Sequence, residues 1–158
     1  MAFSIRLANQ TDLRAVSVLA GRLVRQHHDA DTARFMLPDD IEEGYLWWFT
    51  RELENAQAVI LVATMDSAVV GYCYGRIEER DWNALRDRAG ALHDIYVDEA
   101  ARRRGIARAL VEAMVKRLSE LGAPQVVLAT AWDNGSAQSL FRALGFRPTM
   151  IEMTRSTK

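Results

Sequence analysis

ALHDIYVDEAARRRGIARALVEAMVKRLSEL, residues 91–121, is the stretch that decides the fold. Its start is apolar at Leu92, Ile95 and Val97, with Tyr96 among them, the pattern of a buried strand. A polar turn follows, then Arg102, Arg103 and Arg104 in succession, then Gly105. From Ile106 onward the apolar residues fall at 106, 110, 114, 118 and 121, which is helical spacing. A strand that passes through a cationic, glycine-bearing loop into a helix aims backbone N–H groups and the positive end of a helix dipole at one point. Such a point suits a phosphate.

Upstream, Phe3–Leu7 alternates as a first strand, and Asn9 or Thr11 can cap a helix with Leu13, Val16, Ala20, Leu23 and Val24 on one face. The polar run 27–33 reads as a connection. Pro38 then precedes a helix striped by Ile41, Tyr45, Trp48, Phe49 and Leu53. Ala58–Met65 and Ala68–Ile77, separated by Asp66-Ser67, read as an antiparallel hairpin. The charged segment 78–90 reads as a loop or short helix. Downstream, Gly122 and Pro124 close the helix, and 125–130 is rich in Val and Leu as a further strand. Asn134 or Asp133 caps a short helix with Ala137, Leu140, Phe141 and Leu144 inward, and 146–154 supplies a last strand or pair of strands. The order β-α-α-β-β-β-α-β-α-β predicts a mixed α/β sheet.

The chain has 158 residues, 49% hydrophobic and 26% charged, as expected of one globular domain over 1–158. Its formal charge of −1 gives no general attraction to nucleic acid or an anionic membrane. The single cysteine, Cys73, excludes an internal disulfide, and with no signal peptide visible a cytoplasmic location is expected. No apolar run approaches the ~18 residues of a membrane span. His27, His28, Asp29 and Asp31 lack the spacing of a metal site, so no metal is expected.

Two segments resemble the GNAT superfamily of N-acetyltransferases. Arg102-Arg103-Arg104-Gly105-Ile106-Ala107 matches its Arg/Gln-x-x-Gly-x-Gly/Ala loop. Residues 134–146, NGSAQSLFRALGF, resemble its second signature, Asn-x-x-Ala-x-x-Leu-Tyr-x-x-x-Gly-Phe. The resemblance implies acetyl-CoA and a mostly antiparallel sheet of six to seven strands flanked by about four helices, splayed between strands 91–97 and 125–130. It implies that pantetheine pairs with the backbone of Ile95, Tyr96 and Val97, as an added strand pairs with a sheet edge. The pyrophosphate would sit on N–H groups of Arg103, Arg104, Gly105, Ile106 and Ala107, with charge from Arg102, Arg104 or Arg108. Asn134 and Phe141 belong to the same cofactor frame.

The implied activity is transfer of acetyl to a primary amine, by direct attack through a tetrahedral intermediate. Such a transfer needs a base for the amine, a donor for the oxyanion and help for the departing thiolate. Where the family commonly has a tyrosine as acid, this chain has Phe141. Tyr96, Tyr72, Tyr74 or Ser139 could stand in, or the thiolate could leave with protonation by solvent. The absent tyrosine also leaves the alternative of a non-catalytic acyl-CoA-binding sensor. His93 and Asp94 are the base candidates, with Glu78 and Glu79 behind them. In a regular strand the first two face opposite ways, and a bulge would break that alternation. Asp94 could instead hold the acceptor's ammonium. The acceptor, a small molecule or peptide, would meet helix 41–53, the end of strand 68–77 and the acidic loop 78–90. A homodimer is compatible with an exposed last strand.

Overall fold

In the computed structural model, which describes residues 2–158, nine elements follow one another. They are β1 (Ser4–Leu7), α1 (Leu13–Ala30), α2 (Ile41–Glu52), β2 (Ala58–Met65), β3 (Ala68–Glu78), β4 (Ala89–Val97), α3 (Ile106–Glu120), β5 (Val126–Leu128) and α4 (Gly135–Ala143). The entry to α1 is a reciprocal cap. Asn9 Oδ1 accepts the Thr11 N–H at 2.9 Å, and the Asp12 carboxylate accepts the Asn9 N–H at 2.8 Å. The helix runs into the expected polar connection of 27–33 and ends at Ala30. His27 Nδ1–H donates back to Leu23 O at 2.9 Å and His28 Nδ1–H to Phe35 O at 2.8 Å, so both histidines finish the helix instead of leaving it.

The sheet order is β1-β2-β3-β4-β5, antiparallel except for the last pair. Five strands form among the described residues, against the six to seven expected. The shortfall lies in 146–154, which joins no ladder. Pro148 has no N–H to give one, and Met150, Ile151 and Met153 are 84%, 64% and 89% exposed. Glu152 in this segment pairs with Arg34. The strand expected at 125–130 is held only at Val126–Leu128.

Two apolar layers cover the sheet. On one face α3 contributes Ile106, Leu110, Met114 and Leu118, packed over Leu61, Cys73, Leu92 and Val97, with Phe141 of α4 joining them. On the other, Leu13, Val16 and Ala20 of α1 and Phe49 of α2 pack over Ile60, Val62, Tyr72, Tyr74 and Tyr96. The α3 layer sits tight on the sheet at Gly75, where a Cβ would lie 2.8 Å from both Ala91 O and Met114 Sδ. At this point the β3–β4 register slips. Gly75 faces Leu92 and Tyr74 faces Asp94, leaving His93 as an extra residue on β4.

Candidate active site

The bulge at His93 sets the geometry of the site. Leu92 belongs to the α3 layer, and Ile95 packs against that layer too. His93 and Asp94 both turn to the other face. The His93 ring stacks on Tyr74 with centroids 5.7 Å apart, and Asp94 Oδ2 accepts the Tyr72 hydroxyl at 3.1 Å. The two base candidates therefore lie side by side, and the opposite-face expectation for a regular strand does not hold.

β4 and β5 pair in parallel only from Gly90 to Leu92 and then part. Gly90 N–H reaches Gln125 O at 2.9 Å, so residues 90 and 92 direct their backbone groups toward β5. Beyond the bulge, Asp98 N–H donates to Val70 O at 2.8 Å, which assigns residues 94, 96 and 98 to the β3 side. Ile95 and Val97 are then the residues whose backbone faces the opening, and Tyr96 contributes its side chain and not its N–H there. The Val97 carbonyl is already taken, accepting Arg102 Nε–H at 2.9 Å. Ile95 N–H, Ile95 C=O and Val97 N–H line an edge that no strand covers.

The loop that follows ends in a cradle. Arg103 (φ 64°) and Gly105 (φ 82°) are both left-handed, and Gly105 begins α3 with no side chain capping it. The first backbone bond into the helix is Ala109 N–H to Gly105 O at 3.1 Å, so the N–H groups of Ile106, Ala107 and Arg108 lie ahead of the ladder. A Cβ built on Gly105 meets nothing within 4 Å, so the space over these donors is clear. Arg103 and Arg104 are exposed beside it. Arg102 has another task. Besides holding Val97 O, its guanidinium lies 5.2 Å from the centroid of the Tyr96 ring, tying the loop back to β4. Arg108 is exposed and lies 3.8 Å from Glu112. The residues present fit a phosphate-bearing group lying across the helix start with an amide-bearing arm along the open edge.

Asn134 caps α4, its Oδ1 accepting the Ala137 N–H at 3.1 Å. Phe141 is buried in the α3 layer and meets Phe146 edge-on at 5.9 Å between centroids. It serves as a packing residue at the base of α4.

The α1/α2 side of β4 carries a polar cluster. Tyr74 O–H donates to Glu52 Oε2 at 2.6 Å, and Arg76 donates to the same oxygen at 3.3 Å. Glu52 is only 5% exposed. Glu78 Oε1 lies 2.8 Å from His93 Nε2 and 3.7 Å from Arg76 Nε. Burial pushes the Asp94 carboxyl above the usual carboxylate range, against the opposing pull of the Tyr72 hydrogen bond and of nearby His93 and His27. Tyr72 is driven well up, first by its own burial and then by the charge on Asp94. Burial and the Glu52 contact raise Tyr74, and burial pushes Tyr45 up to about 12. Tyr72 and Tyr74 thus spend their protons on carboxylates. Tyr96, the third of the tyrosines named as stand-in acids, is buried beside an open cleft lined by Arg22, Arg25, Asp29, Asp98 and Glu99.

The loop between β3 and β4 is less available than its composition suggests. Arg80 and Asp87 pair at 3.1 Å, Arg88 and Glu79 at 3.4 Å, and Asp81 Oδ1 accepts the N–H groups of Asn83 and Ala84. Its acids are occupied within the loop. The acidic character near β4 comes instead from Glu52, Glu78 and Asp94. Glu52 escaped the reading of the sequence, although a carboxylate at 52 in register with Ile41, Tyr45 and Trp48 was the available signal.

Residues 23–146 match the acetyltransferase (GNAT) family. An N-alpha-acetyltransferase of Sulfurisphaera tokodaii is 32% identical over 123 residues, covering 75% of this chain and 72% of that protein. Among solved structures, the aminoglycoside N-acetyltransferase AAC(6')-Iy in complex with CoA superposes with a TM-score of 0.79 at 22% identity, covering 99% of this chain and 96% of that one. Glucosamine-6-phosphate N-acetyltransferase from Arabidopsis thaliana superposes with a TM-score of 0.73 at 18% identity, covering the whole of both chains. At these identities the two structures speak to fold.

Proposed function

The chain belongs to the acetyltransferase (GNAT) family, and from that premise we propose that it moves the acetyl group of acetyl-CoA to a primary amine held over the His93–Asp94 bulge. The observation that carries this reading is the parting of β4 from β5 after Leu92, directly upstream of the open helix start at Gly105. When bound, acetyl-CoA supplies a thioester carbonyl activated toward an amine.

The chain's own groups divide the remaining work. N–H groups of Arg103 to Ala107, with Arg103, Arg104 and Arg108 alongside, hold the pyrophosphate. Ile95 pairs with the pantetheine amides, and Val97 N–H or Ile95 N–H faces the oxygen on which charge develops. Asp94 receives the ammonium form of the acceptor, and His93 takes its proton, since a neutral imidazole has a nitrogen lone pair to offer and the side chain here is 42% exposed. Of Tyr72, Tyr74 and Tyr96, the last is the phenol whose proton is not spent on a carboxylate, and it assists the departing thiolate. Phe141 packs and donates nothing.

The acceptor is a cationic amine, because Glu52, Glu78 and Asp94 outnumber Arg76 on this face. The test is a panel of peptide N-terminal amines, polyamines and aminoglycosides with acetyl-CoA, followed by release of free thiol. Turnover with at least one cationic class is expected. Binding of CoA with no thiol release from any amine would overturn the reading in favour of a non-catalytic acyl-CoA module.

A further inference from the structure

We propose that Glu78 is a positioning residue for this transfer. By accepting the Nε2–H of His93, it fixes the tautomer in which Nδ1 keeps its lone pair and takes the proton of the incoming ammonium. The proposal rests on the reading of His93 as base.

The chemistry follows from the donor inventory. A carboxylate can only accept, so a bond between Glu78 Oε1 and His93 Nε2 at 2.8 Å requires the hydrogen on Nε2. In the neutral ring Nδ1 is then bare. Stacking on Tyr74 fixes the plane of the ring, and the Glu78 contact fixes its rotation within that plane. Glu78 is itself held. Arg76 Nε stands 3.7 Å from the same oxygen, close enough to attract but too far to compete as a donor. That Arg76 nitrogen is buried with no hydrogen-bond partner, and the other end of the guanidinium donates to Glu52.

The charged and titratable groups facing His93 are therefore Glu78, Arg76 and Tyr74 from β3 and Asp94 from β4 itself. Glu52 of α2 lies behind Tyr74 and Arg76, and His27 of α1 lies near Asp94. In the step, an N–H bond of the ammonium breaks and Nδ1–H forms, while the electron pair stays on the amine nitrogen for attack on the thioester carbonyl. The imidazolium so formed bears a proton on each nitrogen, is stabilised by Glu78, and returns the Nδ1 proton to water. With His93 and Glu78 both part-exposed, the hydrogen bond between them contributes little to stability. Its use lies in orientation.

Glu78→Gln separates this role from a structural one, because an amide can either accept from Nε2–H or donate to a bare Nε2, and so has no tautomer preference. The readout is ¹⁵N NMR of the histidine rings, with His93 assigned by its loss in His93→Ala, together with the pH profile of kcat and KM. Expected are an Nε2–H tautomer in the parent, mixed tautomers in Glu78→Gln, and a fall in kcat on the order of tenfold, with any rise in KM for the cationic amine smaller than that fall. The acid limb of the profile should also change, because the group in contact with Nε2 has been replaced. Glu78→Gln placed on His93→Ala should lower the residual rate no further. A Glu78→Gln protein with the parent tautomer and an unmoved acid limb overturns the proposal. So does the same fold-loss in both backgrounds. If His93→Ala keeps the full rate and the acid limb, the base reading fails and the positioning role falls with it.

Discussion

In the proposed transfer, Asp94 meets the opposing demands of folding and function in one side chain. Its carboxyl is raised chiefly because burial strips it of water, and the Tyr72 hydroxyl offsets only part of this. A carboxyl with a native value above its unfolded one binds protons more readily when folded. The folded state therefore loses stability as pH rises from about 4 through the raised native value. Asp94→Asn keeps an oxygen for Tyr72 and removes the charge. At pH 7 the variant should melt above the parent, and the gap should close below about pH 4, where both forms are neutral. For a cationic acceptor its kcat/KM should fall by at least about tenfold, because the ammonium loses its counter-charge. Differential scanning fluorimetry across pH and steady-state kinetics read the two effects. A variant that melts no higher than the parent at pH 7 would remove burial as the source of the shift.

At the scale of the element, the loop from Arg102 to Ala107 does two jobs with one kind of residue. Arg102 is turned inward to Val97 O and the Tyr96 ring, while Arg103 and Arg104 face outward. Arg104→Ala should weaken CoA binding about threefold to tenfold and flatten the salt dependence of Kd, since a screened charge is lost. Arg102→Ala should leave that salt dependence nearly intact and instead loosen the end of β4. Gly105→Val should weaken CoA more than either change, because a branched side chain at φ 82° is strained and fills the clear space over the helix start. Calorimetric titration with CoA at two salt concentrations separates the three. This loop was legible in the sequence because helix spacing, glycine and arginines all point the same way. The inward turn of Arg102 was not, since three adjacent arginines look alike until the backbone assigns one of them to a carbonyl. The same limit applies to 146–154, whose β-like composition forecast a strand that Pro148 and the exposed methionines do not form.

At the scale of the whole molecule, the start of the chain is held by the β1–β2 ladder, by Phe3 and Ile5 against the α3 layer, and by a part-buried ion pair. Asp12, only 6% exposed, accepts from Arg6 at 2.7 and 2.9 Å and from Asn9 N–H, linking β1 to α1. The Arg6 hydrogen bonds come first among the causes that hold its carboxyl below the usual range, against the opposing effect of burial. A depressed native value means the stabilisation is present above about pH 4 and is lost as pH falls through the native titration. Asp12→Asn should cost about 1–3 kcal/mol at neutral pH and blunt the acid limb of the stability curve. Urea melts at pH 7 and pH 3 test this, and an equal loss at both would reject the linkage. Order, number and type of helices were readable because each carries an apolar stripe at helical spacing, with explicit side-chain caps at Asn9 before α1 and Asn134 before α4. The pairing of Glu52, Arg76, Glu78 and His93 was not, because it joins α2, β3 and β4 through contacts whose sequence separations carry no pattern.

The extra residue on β4 can be viewed as an insertion that the sheet tolerates without needing. Deleting His93 would place Asp94 directly after Leu92, and the alternation of faces, the register with β3 and the outward direction of Ile95 would all close up unchanged. What would vanish is the local bend that a bulge imposes on its strand, at the point where β4 and β5 stop pairing. The deletion variant should therefore fold to a five-stranded sheet with an unbroken β3–β4 register and a melting temperature close to the parent's, while CoA affinity falls because the edge is no longer open. Circular dichroism melts and CoA titration of the same sample would read both halves. Fold and activity in this chain would then be separable by a single codon.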